Sequence, residues 1–384
     1  MQMELPATSE VEHVVKVGTR KSQLALIQTE TVIGRLKNFY DNNQTTDLKH
    51  HVEFSVIPMS TAGDKIINKP LPKIGAKSLF TKELEEALLD GRVDMIVHSL
   101  KDLPTTLPTG CLIGAILKRD DPNDAVVLKK SLRSQMNPLD LLLGRYGRQD
   151  AKNFKIGTSS QRRIAMIRRC NEDLECIDIR GNLNTRLDRL DQDESEYTAI
   201  VLAKAGLDRM GWTDRSSCTL TPENDTDLGD WFYAVGQGAI AVECRMDDER
   251  ILSLLEPVVD LKTTFEAVAE RSFMKKLEGG CSKPIGVRSS WNGKDLTLYG
   301  GVLSLDGKRL IKASESVTLP SLEEPCLTRS RPEERLKLTD ITLPGSIAQK
   351  RCAVNAMNLC FELGVEVANK VIDLGGLDII KSLR

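Results

Sequence analysis

Two short stretches of this chain follow the same plan, and that repetition limits its fold more than any other feature. Lys16-Val-Gly-Thr-Arg-Lys-Ser22 and Lys155-Ile-Gly-Thr-Ser-Ser-Gln-Arg-Arg163 each run from an apolar strand through Gly-Thr into hydroxyl and basic residues, then a helix. A second pair of echoes follows: Asp94-Met-Ile-Val-His98 entering Ser99-Leu-Lys-Asp-Leu-Pro104, and Tyr197-Thr-Ala-Ile-Val-Leu-Ala-Lys204. Strands alternating with helices make a mostly parallel sheet covered by helices. The spacing therefore predicts two α/β lobes with a cleft between them. Ligands of such sheets lie at the carboxyl ends of strands, which turns both Gly-Thr junctions toward that cleft.

The rest of the pattern fills in this plan. In the first unit we expect a strand at Val14–Val17 and a helix from about Gln23 to Tyr40, with Leu26, Ile33, Leu36 and Tyr40 on one face. A strand at Val52–Val56 should stop at Pro58, and a helix at Ser78–Asp90 should close at Gly91. Between them, Met59–Lys77 has glycines, prolines and almost no apolar period, the mark of a lid or a disordered segment. In the second unit a strand at Cys176–Ile179 leads to Arg180-Gly-Asn182 and a short helix carrying Arg186 and Arg189. Ala234–Val242 reads as a strand returning to the first lobe.

From about Asp260 the pattern changes. A helix, a loop and alternating stretches at Leu296–Leu303 and Lys308–Val317 predict a small α+β domain. Leu319–Ser346 reads as a surface insertion, and Ile347–Ile372 as a long amphipathic helix ending near Gly375-Gly376. The expected division is residues 1–119 with 234–258, then 120–233, then 259–384, consistent with 384 residues being too many for one core.

Composition excludes several partners. A net charge of −2 gives no general attraction to nucleic acid or anionic membrane, and 4% aromatic residues leave few stacking platforms. No apolar run is long enough to span a bilayer. Nine cysteines without a Cys-x-x-Cys pair, and an acid-bearing start without a secretory pattern, predict a reduced, cytoplasmic protein.

Strand-to-helix junctions offer unpaired N–H groups to anions. Arg20, Lys21 and Ser22 stand at one junction, and Ser159, Ser160, Arg162 and Arg163 at the other. Arg180 and Arg186 add planar forks suited to carboxylate or phosphate. Neither Gly-rich phosphate-loop pattern is present, so a carboxylate-rich ligand fits better. One acid, Asp102, sits among these bases, where it would stabilise positive charge or move a proton, or simply cap a turn. The four histidines lack ligand spacing, so no metal is expected. Past a helix at about Phe265–Leu277, Glu278-Gly-Gly-Cys-Ser-Lys-Pro-Ile-Gly286 displays Cys281 in a loop, although such a loop is equally a tight turn.

Seven segments in order carry a resemblance. They are Val17–Leu26, Lys77–Leu84, His98–Pro104, Gly157–Arg163, Arg180–Arg186, Gly236–Ala239 and Glu278–Pro284. Together they resemble the porphobilinogen deaminase (hydroxymethylbilane synthase) family, eukaryotic cytosolic type. The resemblance implies a monomer with two periplasmic-binding-protein-like lobes and a third, smaller domain. It implies a dipyrromethane cofactor, built from two substrate molecules and held on Cys281 by a thioether. Four further porphobilinogen units would then be joined head to tail with loss of ammonia, and the linear product released by hydrolysis.

By the same resemblance Asp102 is catalytic. Lys101, Asp102, Thr158, Ser159, Ser160, Arg162, Arg163 and Arg186 would hold the cofactor. Arg20, Ser22, Phe80, Ser99, Arg180, Arg186, Arg209 and Gln237 would hold substrate, Phe80 by packing against a pyrrole face. A non-catalytic solute-binding protein on the same two-lobed fold is the rival reading. It would share the anion sites but would not need Cys281 or Asp102.

Overall fold

In the computed structural model, residues 14–42, 52–65, 80–146, 153–277, 283–321 and 351–382 are described. The chain opens with β1 (Val14–Arg20), β2 (Glu53–Met59), β3 (Met95–Ser99) and β4 (Cys111–Ile116). It then crosses into a second sheet made of β5 (Asp124–Leu128), β6 (Lys155–Gly157), β7 (Glu175–Ile177), β8 (Ala199–Ala203) and β9 (Cys218–Leu220). It crosses back at β10 (Ile240–Arg245).

The two sheets have equivalent strand orders, β2-β1-β3-β10-β4 and β7-β6-β8-β5-β9. In each, the first three positions are parallel and the fourth strand runs antiparallel. That fourth strand is in both cases the one that has just arrived from the other lobe. The architecture is therefore α/β with mixed, mostly parallel-centred sheets in two lobes, tied by two crossing segments.

Those crossings lie side by side. Leu117 N donates to Ile240 O at 3.0 Å, Asp120 N to Gly238 O at 3.1 Å, and Arg119 Nε to Gln237 O at 2.7 Å. Gly238 is required here: its φ is +86°, and a Cβ would stand 2.5 Å from Asp120 O. From the third domain, Glu270 reaches both segments at once. It accepts from Arg119 Nη1 at 2.7 Å and from Gly236 N at 2.8 Å.

The third domain is an antiparallel sheet of β11 (Ile285–Asn292), β12 (Asp295–Leu303) and β13 (Leu310–Thr318), with helices Leu261–Lys276 and Arg351–Asp373 packed on it. The helix at 261–276 buries Phe265, Ala267, Val268, Ala269 and Phe273, so apolar residues surround it rather than lining one stripe. Its core is continuous with one face of the first sheet, through Leu84, Ile96, Leu100 and Ile113.

Several expectations shift. The strand read at 234–242 begins only at Ile240, because Gly236 (φ +72°) and Gly238 turn the chain first. The strand expected to stop at Pro58 runs through it to Met59, which an edge strand tolerates because one side carries no ladder. The expected helices at 78–90 and 347–372 are described as Lys82–Leu89 and Arg351–Asp373, and the strand at 176–179 as Glu175–Ile177. Of the face predicted for the first helix (Gln23–Asn42) only Leu36 is buried; Ala25, Gln28, Thr29 and Val32 complete it. Strands β4, β5, β9 and β11 were not anticipated. Most of the expected lid (66–77), most of the insertion (322–346) and Cys281 lie outside the described residues. Among the described residues no helix is long and apolar enough to cross a membrane.

Candidate active site

The carboxyl ends of β1, β3 and β6 and the start of β5 converge between the lobes. After β3, Ser99 leads into a single 3-10 turn, Leu100–Asp102. Leu100 and Leu103 are buried on either side, and Leu100 N donates to Ala239 O at 3.0 Å. These anchors fix the turn and leave the Asp102 side chain exposed to the cleft. Ser99 Oγ is held by Gln28, whose Nε2 donates to it at 2.8 Å. Ser22 Oγ accepts from Ala25 N at 3.4 Å at the start of the first helix. Arg20 lies over the Phe80 ring, 4.6 Å from its centroid. Phe80 therefore presents one face to Arg20 and also lines the larger cavity described below.

In the second lobe Ser160 caps the helix Gln161–Cys170 by accepting from Arg163 N at 3.5 Å. Ser159 Oγ donates to Ile179 O at 2.6 Å. Thr158 is buried behind them, accepting from Ser160 N at 3.3 Å, and lines neither cavity described below. It supports the turn from behind. Arg186 Nε donates to Gly181 O at 2.8 Å, and Arg180 Nε to Asp178 Oδ2 at 2.7 Å.

The sequence reading placed one acid among these bases, and the structure corrects it. Asp124, the first residue of β5, is fully buried beneath the cluster. It accepts from Arg162 Nη1 at 2.7 Å, Arg163 Nη2 at 2.7 Å, Gln237 Nε2 at 2.9 Å and Trp231 Nε1 at 3.2 Å. Burial would raise this carboxyl, but Arg162 and Arg163 override it and hold it well below the usual carboxylate range. A sequence signal for it exists: an acid heading the apolar run Ala125–Leu128 must find a partner inside. Asp120 is a further acid, pairing with Arg209 Nε at 2.8 Å, while Arg209 Nη2 donates to Gly238 O at 2.6 Å. Arg209 and Gln237 thus brace the crossing segments as well as facing the cleft.

Two cavities open here. The larger, about 410 Å³, is lined by Arg20, Lys101, Arg163, Arg180, Arg186, Arg189 and Arg209, with Ser22, Phe80, Ser99 and Ser159. Against these seven cations Asp102 is the single carboxylate among the described residues of its wall. The smaller, about 170 Å³, lies between Ser160, Arg162, Gln237, Met274 and Lys283. Lys101, Asp102 and Arg163 belong to both and form the wall they share.

The cations bear the cost of this crowding. Burial lowers the Lys101 pKa to about 8, with Arg163 and Arg162 repelling in the same direction against Asp102 and Asp124. Burial lowers Arg186 to about 10, with Arg163 adding to the effect. Arg162 and Arg209 are pushed down as well, again by burial first. Buried positive charge without enough counter-charge calls for an anion, and one of several charges.

Two family models match this chain. "Porphobilinogen deaminase, dipyromethane cofactor binding domain" covers residues 15–253, and "Porphobilinogen deaminase, C-terminal domain" covers residues 264–326. The chain belongs to the porphobilinogen deaminase family.

Relatives agree over most of the length. The porphobilinogen deaminase of Synechococcus elongatus is 45% identical over 298 residues, 78% of this chain and 85% of that one. That of a Nostoc species is 42% identical over 308 residues, 80% of this chain and 87% of that one. Among solved structures, the periplasmic nitrate-binding protein NrtA from Synechocystis is 10% identical, covering 70% of this chain and 64% of that one at a TM-score of 0.33. A periplasmic thiamin binding protein is 10% identical, covering 70% of this chain and 84% of that one at 0.29. Scores this low carry no argument; the two-lobed fold rests on the strand orders above.

The walls suit the deaminase family's dipyrromethane. Its two rings carry carboxylates, which the clustered cations of both cavities suit, and pyrrole N–H groups, which suit Gln237 Oε1, buried in the wall of the smaller cavity and without a hydrogen-bond partner among the described residues. Lys101 and Ser160, in the wall of the smaller cavity, would hold such a group by hydrogen bonds, and Arg163 beside them would add positive field.

Proposed function

We propose that this chain is a porphobilinogen deaminase, joining porphobilinogen units head to tail with release of ammonia and freeing a linear hydroxymethylbilane. The observation that carries this reading is the charge pattern of the larger cavity, where the described residues set seven cations around one carboxylate at the wall shared with the smaller. Each pyrrole unit brings an acetate and a propionate, so a growing chain is a ladder of carboxylates for Arg20, Arg180 and Arg186. Ser22, Ser99 and Ser159 supply hydrogen-bonding hydroxyls at the same strand ends. When bound, the dipyrromethane would supply the pyrrole carbon onto which the chain grows.

Asp102 has a distinct part. Loss of ammonia from porphobilinogen leaves a cationic ring, and a carboxylate at the junction of the cavities stabilises that charge and takes up the proton that must leave. Lys101 beside it keeps a cation near the substrate carboxylates. The lobes formed by residues 1–119 with 234–258 and by 120–233 adjust about the paired crossing segments, with 259–384 as a third domain. Among the described residues, free thiols at Cys111, Cys170, Cys176, Cys218, Cys244 and Cys360 support a reducing, cytoplasmic setting. We take the working form to be a monomer. The relatives named above are cyanobacterial, and they lend no support to a eukaryotic cytosolic type.

The test is stoichiometric. Purified protein given porphobilinogen should release one ammonia per ring consumed and a linear tetrapyrrole for every four. Saturable binding without ammonia release would make the chain a two-lobed binding protein instead.

A further inference from the structure

The family resemblance places Arg162 and Arg163 among the residues that would hold the cofactor, yet both guanidiniums are already committed inside the protein. Arg162 Nη1 donates to Asp124 Oδ2 at 2.7 Å and to Phe232 O at 2.6 Å, and its Nη2 turns to Asp124 Oδ1 at 3.4 Å. Arg163 donates from Nε and Nη2 to Asp124 Oδ1, at 3.0 and 2.7 Å, and from Nη1 to Val201 O at 2.9 Å. Asp124 also offsets their charge. What they retain for a ligand in the smaller cavity is field more than hydrogen bonds.

Lys283 lines that same cavity. Its side chain is half-buried, and among the described residues it has no hydrogen-bond or ion-pair partner. Its carbonyl is fixed by Ile285 N at 2.8 Å, and Pro284 stiffens the backbone between them, so the side chain starts from a defined point. In sequence it stands two residues beyond Cys281. A Lys ammonium carries three donors on a flexible stem and meets a carboxylate as a point charge, a role that any cation of similar reach can fill.

We propose that Lys283 binds a carboxylate of the first two pyrrole rings, in the smaller cavity beside Lys101. This rests on the deaminase reading above, and it adds a residue that the arginine clusters had obscured. Lys283 acts on acquisition of the primer, and it leaves later chain growth to the larger cavity.

The experiment follows intact mass with time after porphobilinogen is added to full-length ligand-free protein, comparing wild type, Lys283→Gln and Lys283→Arg. The wild type should gain the mass of two linked rings. Loss of one charge-assisted contact should slow that gain about ten-fold in Lys283→Gln, and Lys283→Arg should restore it to within about two-fold of wild type. Thermal melts of the three should coincide, because the position is half-buried and unpaired. Wild-type acquisition by Lys283→Gln overturns the proposal, as does a defect confined to later rings. Equal slowing in Lys283→Arg makes the position steric and overturns it too. A wild type that never gains mass instead defeats the deaminase reading on which the proposal stands.

Discussion

Arg163 closes on Asp124 from two directions, with Nε at 3.0 Å and Nη2 at 2.7 Å from the same oxygen. Asp124 comes from the crossing into the second lobe and Arg163 from the helix after β6, so this pair joins the bridge between lobes to an anion-binding strand end. The Arg162, Gln237 and Trp231 contacts with the same carboxylate make it the hub beneath the shared wall of the cavities.

Asp124→Asn should therefore be strongly destabilising. It keeps the shape but leaves two buried guanidiniums without counter-charge, a loss on the order of 3–5 kcal/mol for a broken buried pair. The carboxyl is held below its ordinary value, so its contribution is present above the unfolded pKa, about 3.9, and is lost as pH falls below that. Denaturant melts of both proteins between pH 3 and 7 check this. The gap between them should be widest near neutrality and shrink in acid.

Asp102→Asn should do the reverse, sparing stability and slowing turnover severely. The side chain is exposed and the turn is anchored by Leu100 and Leu103, so melting should be unchanged. Loss of a placed proton acceptor and cation stabiliser should slow ammonia release by about 10²- to 10⁴-fold. Steady-state rates on protein whose cofactor content has been weighed separate this from a failure to load.

Lys101 predicts a break in binding near pH 8. Its pKa of about 8 means that the ammonium is present below that pH and absent above it. The Kd for porphobilinogen should rise above pH 8, approaching ten-fold per pH unit, because binding must then take up a proton. In ligand-free protein the sign is opposite. Between about 8 and 10.5 the unfolded chain holds a proton that the folded one lacks, so this group's contribution to stability increases with pH. Titration calorimetry across pH 7–10 reads the first effect, and Lys101→Arg should remove the break because a guanidinium stays charged.

How much of this was legible in the sequence follows from how local each feature is. The Gly-Thr junctions announce themselves in a few residues, and the structure brings Arg20, Ser22, Ser99, Lys101, Asp102, Ser159, Arg180 and Arg186 to one cavity as expected. Asp124 was missed because its partners come from a helix about forty residues on and from two sites more than a hundred residues away, and no period encodes such pairings. The return at 234–239 was misread because Ala234-Val235 and Ala239-Ile-Ala-Val242 were joined into one strand across Gly236-Gln-Gly238, where the positive φ angles of both glycines turn the chain. Arg209 lines the larger cavity, but its second role, the pairing with Asp120, was missed because nothing in its sequence neighbourhood names that partner.

The most direct test of the account is the intact mass of denatured protein after exposure to porphobilinogen, for wild type and Cys281→Ser. The account predicts a wild-type adduct of two linked pyrroles, with heavier species spaced by single rings when substrate is in excess, and an unmodified mutant. A wild-type mass that never changes, or an adduct that persists in Cys281→Ser, would contradict it.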